Sequence, residues 1–348
     1  MSDTIKVLIV DDSAFARSVI AKKLGTDPSI AVAGFARDGA EALEKIRELK
    51  PDVVTMDITM PEMDGLTALE HIMTDDPLPV IMLSALTGPQ THATITALEL
   101  GAVDFFLKPS VANPAGVDAS ALDLIQKIKT AATVSGKRLV ASNKKKRLRR
   151  RGPPLTNGAI PNMVNVLVIG ASTGGPKALA ELMPDIPPNL PTGILIVQHM
   201  PPGFTRSLAQ RLDQLSQLHV KEAEPGDVVK PGQALLAPGD YHMVVNLDGI
   251  IELNRDPPVC GVRPSVDVTI ESVVRTYGSS SLAAVLTGMG SDGTRGAAMI
   301  KAVNGQVKVE DESTCAVYGM PKSIADAGNA DKLVPLHRMA KEIVDMCL

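Results

Sequence analysis

The chain has 348 residues, 45% of them apolar and 21% charged, with a net charge of −4; that length allows two domains of roughly 100–200 residues each. No apolar stretch approaches the ~20 residues of a membrane span, and the acidic balance argues against a globally basic nucleic-acid binder. The polar opening Met1-Ser2-Asp3-Thr4 leads straight into a strand, which is not the pattern of a signal peptide.

From residue 1 to about 133, short apolar runs alternate with segments of helical period. Strands are predicted at Val7–Val10, Ala31–Phe35, Val53–Met56, Val80–Leu83 and Asp104–Leu107. Ala40–Leu49 carries Leu43, Ile46 and Leu49 on one helical face, and Ala121–Ile128 closes the unit. Strands alternating with helices imply a parallel sheet covered on both faces. From 134 to 163 the rhythm stops, and Lys144-Lys145-Lys146-Arg147, Arg149-Arg150-Arg151 and Gly152-Pro153-Pro154 follow one another. Like charges repel and proline prevents a regular helix, so this reads as a linker and solubilising spacer. A basic run can also contact nucleic acid or anionic lipid.

A second alternating unit covers 164 to 348. Its strands are predicted at Val166–Ile169, Ile194–Val197, Leu235–Ala237, Met243–Val245, Ile250–Leu253, Leu282–Leu286 and Val307–Val309. Helical periods occupy Ala178–Met183, Phe204–Leu215, Val268–Thr276, Gly296–Val303 and Met339–Met346. The stretch from Gly226 to Leu253 reads as hairpins inserted among parallel strands. The expected fold class is therefore α/β, with two doubly wound, mostly parallel-sheet domains at 1–133 and 164–348 joined by a basic, proline-containing linker at 134–163. Cys260, Cys315 and Cys347 are odd in number and widely spaced. They read as buried thiols of a reducing, cytoplasmic compartment, with neither a disulfide framework nor a zinc site.

In an open parallel sheet, ligands collect outside the carboxyl ends of the strands. Asp11, Asp12, Asp57, Ser84 and Lys108 all fall at such ends. Three carboxylates held close repel one another unless a hard divalent cation joins them, which makes Mg²⁺ the natural resident. Asp57 can then attack a phosphoryl group as a carboxylate nucleophile, with Lys108 as a fixed cation and Ser84 as a hydroxyl for the new oxygens. One aspartate alone would more simply cap the next helix; five polar residues in this order point to a site.

These residues carry a resemblance. Val10-Asp11-Asp12-Ser13, Met56-Asp57-Ile58-Thr59-Met60-Pro61-Glu62-Met63-Asp64-Gly65 and Leu107-Lys108-Pro109 resemble a two-component receiver domain, which implies a flavodoxin-like fold. The resemblance implies that Asp57 is the phospho-acceptor and that a histidine kinase is the phosphodonor. It also implies that Asp11, Asp12, Asp57 and the Thr59 backbone carbonyl bind Mg²⁺, with Ser84, Phe105 and Lys108 as switch residues.

In the second unit, Gly170-Ala171-Ser172-Thr173-Gly174 fits a G-x-S-x-G nucleophile turn between a strand and a helix. The same glycines could equally cradle a nucleotide phosphate. His199 follows the strand Ile194–Val197, and Asp292 follows Leu282–Leu286. If these strands are parallel, the three converge: Ser172 attacks a carbonyl, His199 takes its proton and Asp292 orients the imidazole. Met289, in the glycine-flanked turn beside Asp292, is a candidate oxyanion donor through its backbone N–H. Each has a plainer reading, since Ser172 and Asp292 could be helix caps, and His242 is a rival base. The order Ser, His, Asp differs from the Ser, Asp, His order of α/β-hydrolases.

Gly170-Ala171-Ser172-Thr173-Gly174-Gly175-Pro176, Gln198-His199-Met200-Pro201-Pro202-Gly203-Phe204-Thr205, Ala237-Pro238-Gly239-Asp240-Tyr241-His242 and Leu286-Thr287-Gly288-Met289-Gly290-Ser291-Asp292-Gly293 resemble the catalytic domain of the bacterial chemotaxis protein-glutamate methylesterases. That resemblance implies a phosphorylation-activated serine hydrolase, Rossmann-like with hairpin insertions, needing no cofactor for the esterase reaction. Its substrates would be γ-glutamyl methyl esters, and selected glutamines, on chemoreceptor cytoplasmic helices. The unphosphorylated receiver would block the catalytic face. The basic linker is not part of the family pattern. A DNA-binding response regulator would instead need a compact helical reader after the receiver, and for a dinucleotide site the third glycine is misplaced and no acid closes a following strand about 20 residues on. Neither nucleic-acid binding nor membrane insertion is expected.

Overall fold

A computed structural model describes residues 4–86, 88–108, 117–134 and 165–348. The chain divides into two compact units, Met1–Lys144 and Lys145–Leu348. Apart from Val134, the linker expected at 134–163 lies outside the described residues, as does Pro109.

In the first unit β1 (Ile5–Val10), β2 (Ile30–Ala36), β3 (Val53–Asp57), β4 (Val80–Ser84) and β5 (Asp104–Leu107) alternate with α1 (Ala14–Leu24), α2 (Gly39–Leu49), α3 (Gly65–Asp75), α4 (Gly88–Leu100) and α5 (Val117–Ala132). The sheet is parallel throughout, in the order β2-β1-β3-β4-β5. A strand covered on both faces must be apolar at every position rather than at alternate ones. Val7, Leu8, Ile9 and Val10 meet that demand with no exposed surface, and burying four such side chains contributes on the order of 6–12 kcal/mol before entropy is charged. Helix starts are fixed by short polar side chains: Asp38 accepts the Glu41 N–H and Asp64 the Thr67 N–H, each at 2.8 Å. The strand order reverses between β1 and β3, the crevice where doubly wound sheets bind ligands.

The second unit contains β6 (Asn165–Ala171), β7 (Thr192–Gln198), β8 (His219–Glu222), β9 (Gln233–Leu236), β10 (His242–Val245), β11 (Ile251–Asn254), β12 (Ser281–Val285), β13 (Gln306–Glu310) and β14 (Lys332–Val334). Its helices are α6 (Gly175–Leu182), α7 (Phe204–Leu215), α8 (Val266–Tyr277), α9 (Thr294–Ala302), α10 (Met320–Asp326) and α11 (Leu336–Cys347). Seven strands form one parallel sheet, β14-β13-β12-β6-β7-β9-β8. β6 is central, and the chain leaves it first toward β7 and later toward β12, so the switch point lies at the end of β6.

The hairpins expected between Gly226 and Leu253 reduce to one. β10 and β11 pair antiparallel in a separate two-stranded sheet, whereas β9, within the same stretch, joins the main sheet in parallel. Sequence pattern alone does not separate a short buried parallel strand from a hairpin arm. Of the three thiols, Cys315 and Cys347 are buried, and Cys260 is exposed, contrary to expectation. Among the described residues, no helix is long and apolar enough to cross a membrane.

Candidate active site and acidic pocket

The first unit gathers acids at its switch point. Asp11 follows β1 and Asp57 ends β3, and both are buried, whereas Asp12 is exposed. Neither Asp11 nor Asp12 caps α1; Ser13 does, and Asp11 Oδ1 accepts the Ser13 N–H at 2.9 Å. Lys108 places its ammonium 2.7 Å from Asp11 Oδ2 and 2.7 Å from Asp57 Oδ2. Burial pushes the Asp57 carboxyl up, the nearby Asp11 charge adds to that, and Lys108 only partly offsets it. Burial alone would lower Lys108, but the two carboxylates outweigh it and raise it.

A carboxylate oxygen from each of Asp11, Asp12 and Asp57 lies within 4.8 Å of the others. This all-oxygen set, with one cation against three acids, fits a hard divalent ion. Ser84 is buried at the end of β4, its hydroxyl 2.8 Å from that of Thr94 on α4. Phe105 is buried on β5, beneath the Lys127 ammonium. Thr59 lies in the loop that follows β3.

In the second unit the strands that carry Ser172, His199 and Asp292 are parallel neighbours, as convergence requires. Ala171 at the end of β6 is in register with Gln198 on β7, and the His199 N–H donates to the Ala171 carbonyl at 3.1 Å. His199 Nε2–H donates to Asp292 Oδ2 at 2.8 Å, which leaves Nδ1 as the basic nitrogen. This reverses the use of the two ring nitrogens in the serine-protease triad. No hydrogen bond joins the Ser172 hydroxyl to His199 among the described residues; such contacts often tighten only when substrate is bound.

Asp292 is held by five donors. Oδ2 accepts the Val266 N–H at 2.7 Å as well as His199, while Oδ1 accepts the Ser265 hydroxyl at 2.8 Å and the N–H groups of Asp267 and Gly293 at 3.1 Å. The carboxylate therefore sits at the N-terminus of α8, where backbone donors and the helix dipole favour an anion. Burial would raise its carboxyl, but His199 and the Val266 and Asp267 N–H groups outweigh it and hold it below the ordinary value. The plainer readings fail here, since the caps of α6 and α9 are Gly174 and Gly293, not Ser172 and Asp292. The rival His242 is buried on β10, and its Nε2–H donates to the Pro257 carbonyl at 3.2 Å.

Two glycines act by leaving room. A Cβ on Gly170 would lie 2.8 Å from a Val266 methyl, so this glycine lets α8 close on β6. A Cβ on Gly288 would lie 2.8 Å from Ser172 Cβ, so the turn carrying Met289 passes directly against the serine. Sequence reasoning missed three supports. The Gln198 side-chain amide donates to the carbonyls of both Ser172 and His199, at 2.9 and 3.2 Å. Ser265 holds Asp292, and Thr287 accepts the Ser172 N–H at 3.0 Å through its carbonyl. Gln198 and Thr287 stood inside the recognised motifs, whereas Ser265 had only its place before a helical period as a signal.

Residues 167–343 match the family described as CheB methylesterase, and residues 7–115 match the response regulator receiver domain. A protein-glutamate methylesterase/protein-glutamine glutaminase of Symbiobacterium thermophilum is 47% identical, over 97% of this chain and 96% of its own length. A protein of the same name from Thermotoga maritima is 44% identical, over 98% of each. The crystal structure of the Thermotoga maritima CheB methylesterase catalytic domain covers 52% of this chain and 97% of its own, at 46% identity and a TM-score of 0.51.

Proposed function

Because the chain belongs to the CheB methylesterase family, with a receiver domain ahead of the catalytic one, we propose that it is a phosphorylation-activated protein-glutamate methylesterase and protein-glutamine glutaminase of chemoreceptor adaptation. The observation that carries the reading is the His199–Asp292 pair at the edge where Ser172 follows the central strand. Ser172 Oγ attacks the ester carbonyl carbon while its proton passes to His199 Nδ1. The Met289 N–H is the proposed donor to the oxyanion. Methanol leaves with the proton returned by His199, and water, activated by the same nitrogen, releases the glutamate carboxylate. With a glutamine side chain the leaving group is ammonia, and the other steps are the same.

The receiver occupies 1–133, the linker 134–163 and the catalytic domain 164–348 in this reading. Asp57 accepts a phosphoryl group from a histidine kinase, while Lys108 steadies the charge and Ser84 and Phe105 respond to it. Mg²⁺ held by Asp11, Asp12, Asp57 and the Thr59 carbonyl would neutralise phosphoryl oxygens during that transfer. Phosphorylation shifts the population toward a form with an accessible catalytic face, and a tenfold activation asks for only about 1.4 kcal/mol. The substrates, cytoplasmic helices of methylated receptors, place the enzyme in the cytoplasm.

The test is methanol release from methylated receptor fragments by the wild type and Ser172→Ala, each with and without a small phosphodonor and Mg²⁺. The expected result is release that rises with phosphodonor and falls at least about 10,000-fold in Ser172→Ala. Release that ignores the phosphodonor would overturn the regulatory half, and release that survives Ser172→Ala would overturn the chemistry.

A further inference from the structure

The sheet edge that carries Ser172 holds a second acid that the ester chemistry leaves unused. Glu310 closes β13, next to β12, and has no exposed surface. Its Oε2 accepts the Thr287 N–H at 2.8 Å, while Oε1 has no hydrogen-bond partner among the described residues. Thr287 is where the local bonds meet. Its carbonyl accepts the Ser172 N–H at 3.0 Å. Its hydroxyl accepts the Val317 N–H at 2.9 Å and donates to the Thr173 carbonyl at 3.0 Å. The next residue, Gly288, is the one pressed against Ser172. One buried carboxyl thus anchors the residue whose carbonyl holds the nucleophile's backbone and which starts the Met289 turn.

We propose that Glu310 is a positioning residue of the esterase, holding the Thr287 peptide so that Ser172 and the turn carrying Met289 keep the geometry of attack. The inference rests on the ester-hydrolysis reading of Ser172. Burial pushes the Glu310 carboxyl up to about 7, with the Thr287 N–H acting against it and the charge of Glu181 on α6 adding to it. The Thr314 hydroxyl and Cys315 thiol also face the carboxyl, and no cation is among these groups. Glu310 is therefore a neutral acid below about pH 7 and a buried anion above it. A negative charge so near the turn opposes the charge that builds on the substrate oxygen, so ionisation works against the step that the neutral acid supports.

The experiment measures kcat and KM of the full chain on a methylated receptor fragment from about pH 6 to about pH 9, for the wild type, Glu310→Gln and Glu310→Ala. Thermal melting and the rate of Ser172 labelling by a fluorophosphonate are followed in parallel. His199 must be neutral in all three proteins, so the difference between wild type and Gln isolates Glu310. Glu310→Ala is expected to lose about 10- to 100-fold in kcat with KM nearly constant, because the Thr287 N–H loses its partner. Glu310→Gln keeps a carbonyl for that N–H and cannot ionise. It is expected to restore kcat to within about threefold at acid pH and to exceed the wild type above about pH 7. An alanine variant with unchanged kcat, a loss confined to KM, or a glutamine variant no better than alanine would each overturn the proposal. Should the alanine variant not melt cooperatively, the glutamine pH profile decides alone. Should no methylated receptor be hydrolysed while Ser172 is still labelled, the substrate reading fails. Labelling that is slow in alanine and restored in glutamine would then still support Glu310, and equal labelling would overturn it.

Discussion

Asp292 and Asp57 both stand at the carboxyl edge of a parallel sheet, yet their charges are balanced differently. Five donors from the backbone of α8, Ser265, Gly293 and His199 close around Asp292, and its carboxyl is held below the ordinary value. Asp57 shares one lysine with Asp11, and its carboxyl is pushed up. The edge of a doubly wound sheet therefore selects no chemistry of its own. An acid satisfied by fixed donors is ready to orient a base, whereas acids left in surplus call for a cation and a phosphoryl group.

The sharpest way to break this contrast is Asp292→Asn. The amide would turn an NH₂ toward groups that are themselves donors, so methanol release should fall by about 1,000- to 10,000-fold in kcat. A loss below about tenfold would mean that the five donors do not matter to the reaction. Next in size is the response of the first unit to Mg²⁺. At about 100 times its Kd the ion should stabilise that unit by about 2.7 kcal/mol, read as a shift of its melting transition against a chelator control. An equal shift in Asp57→Asn would place the ion elsewhere.

Without Mg²⁺ the two acids should also titrate in opposite senses. Asp57, raised above 3.8, contributes stability that is full below that value and is lost as pH rises through its folded pKa. Asp292, lowered below 3.8, contributes stability that is present above that value and is lost as pH falls through its folded pKa. Chelated protein brought from neutral to mildly acidic pH should gain melting temperature in the first transition and none from Asp292, and the reverse pattern would invert the assignment. Smallest is Ser265→Ala, which removes one of the five donors and the α8 cap. Denaturant titration should show a loss of about 1–2 kcal/mol, with kcat falling only severalfold.

The central strands were legible because a strand buried on both faces must be an unbroken apolar run, as Val7–Val10 and Val166–Ile169 are. The edge strand β14 was not predicted, because only its terminal position, Val334, is buried. Apart from Ser84 and Phe105, the proposed site residues lay in quoted motifs, since chemistry at a strand end is written in a few consecutive residues. Two supports, Glu310 and Ser265, were hidden for the opposite reason. Glu310 reaches Thr287 across 23 residues and Ser265 reaches Asp292 across 27, and no local pattern encodes a contact of that span. Gly170 read as part of a nucleophile turn, whereas in the fold it makes room for Val266.

The place of β6 at the middle of its sheet has a consequence for the newborn chain. Val166 pairs with Ser281, which is 115 residues later. At roughly 5–20 residues per second, the ribosome delivers β12 about 6–23 seconds after β6. For that interval one hydrogen-bonding edge of the strand that leads to Ser172 has no permanent neighbour, and its apolar stretch, Val166–Ile169, stays unpaired along that edge. The first unit is by then already complete. Ser172 is among the first parts of its unit to be made, and Asp292 follows 120 residues later.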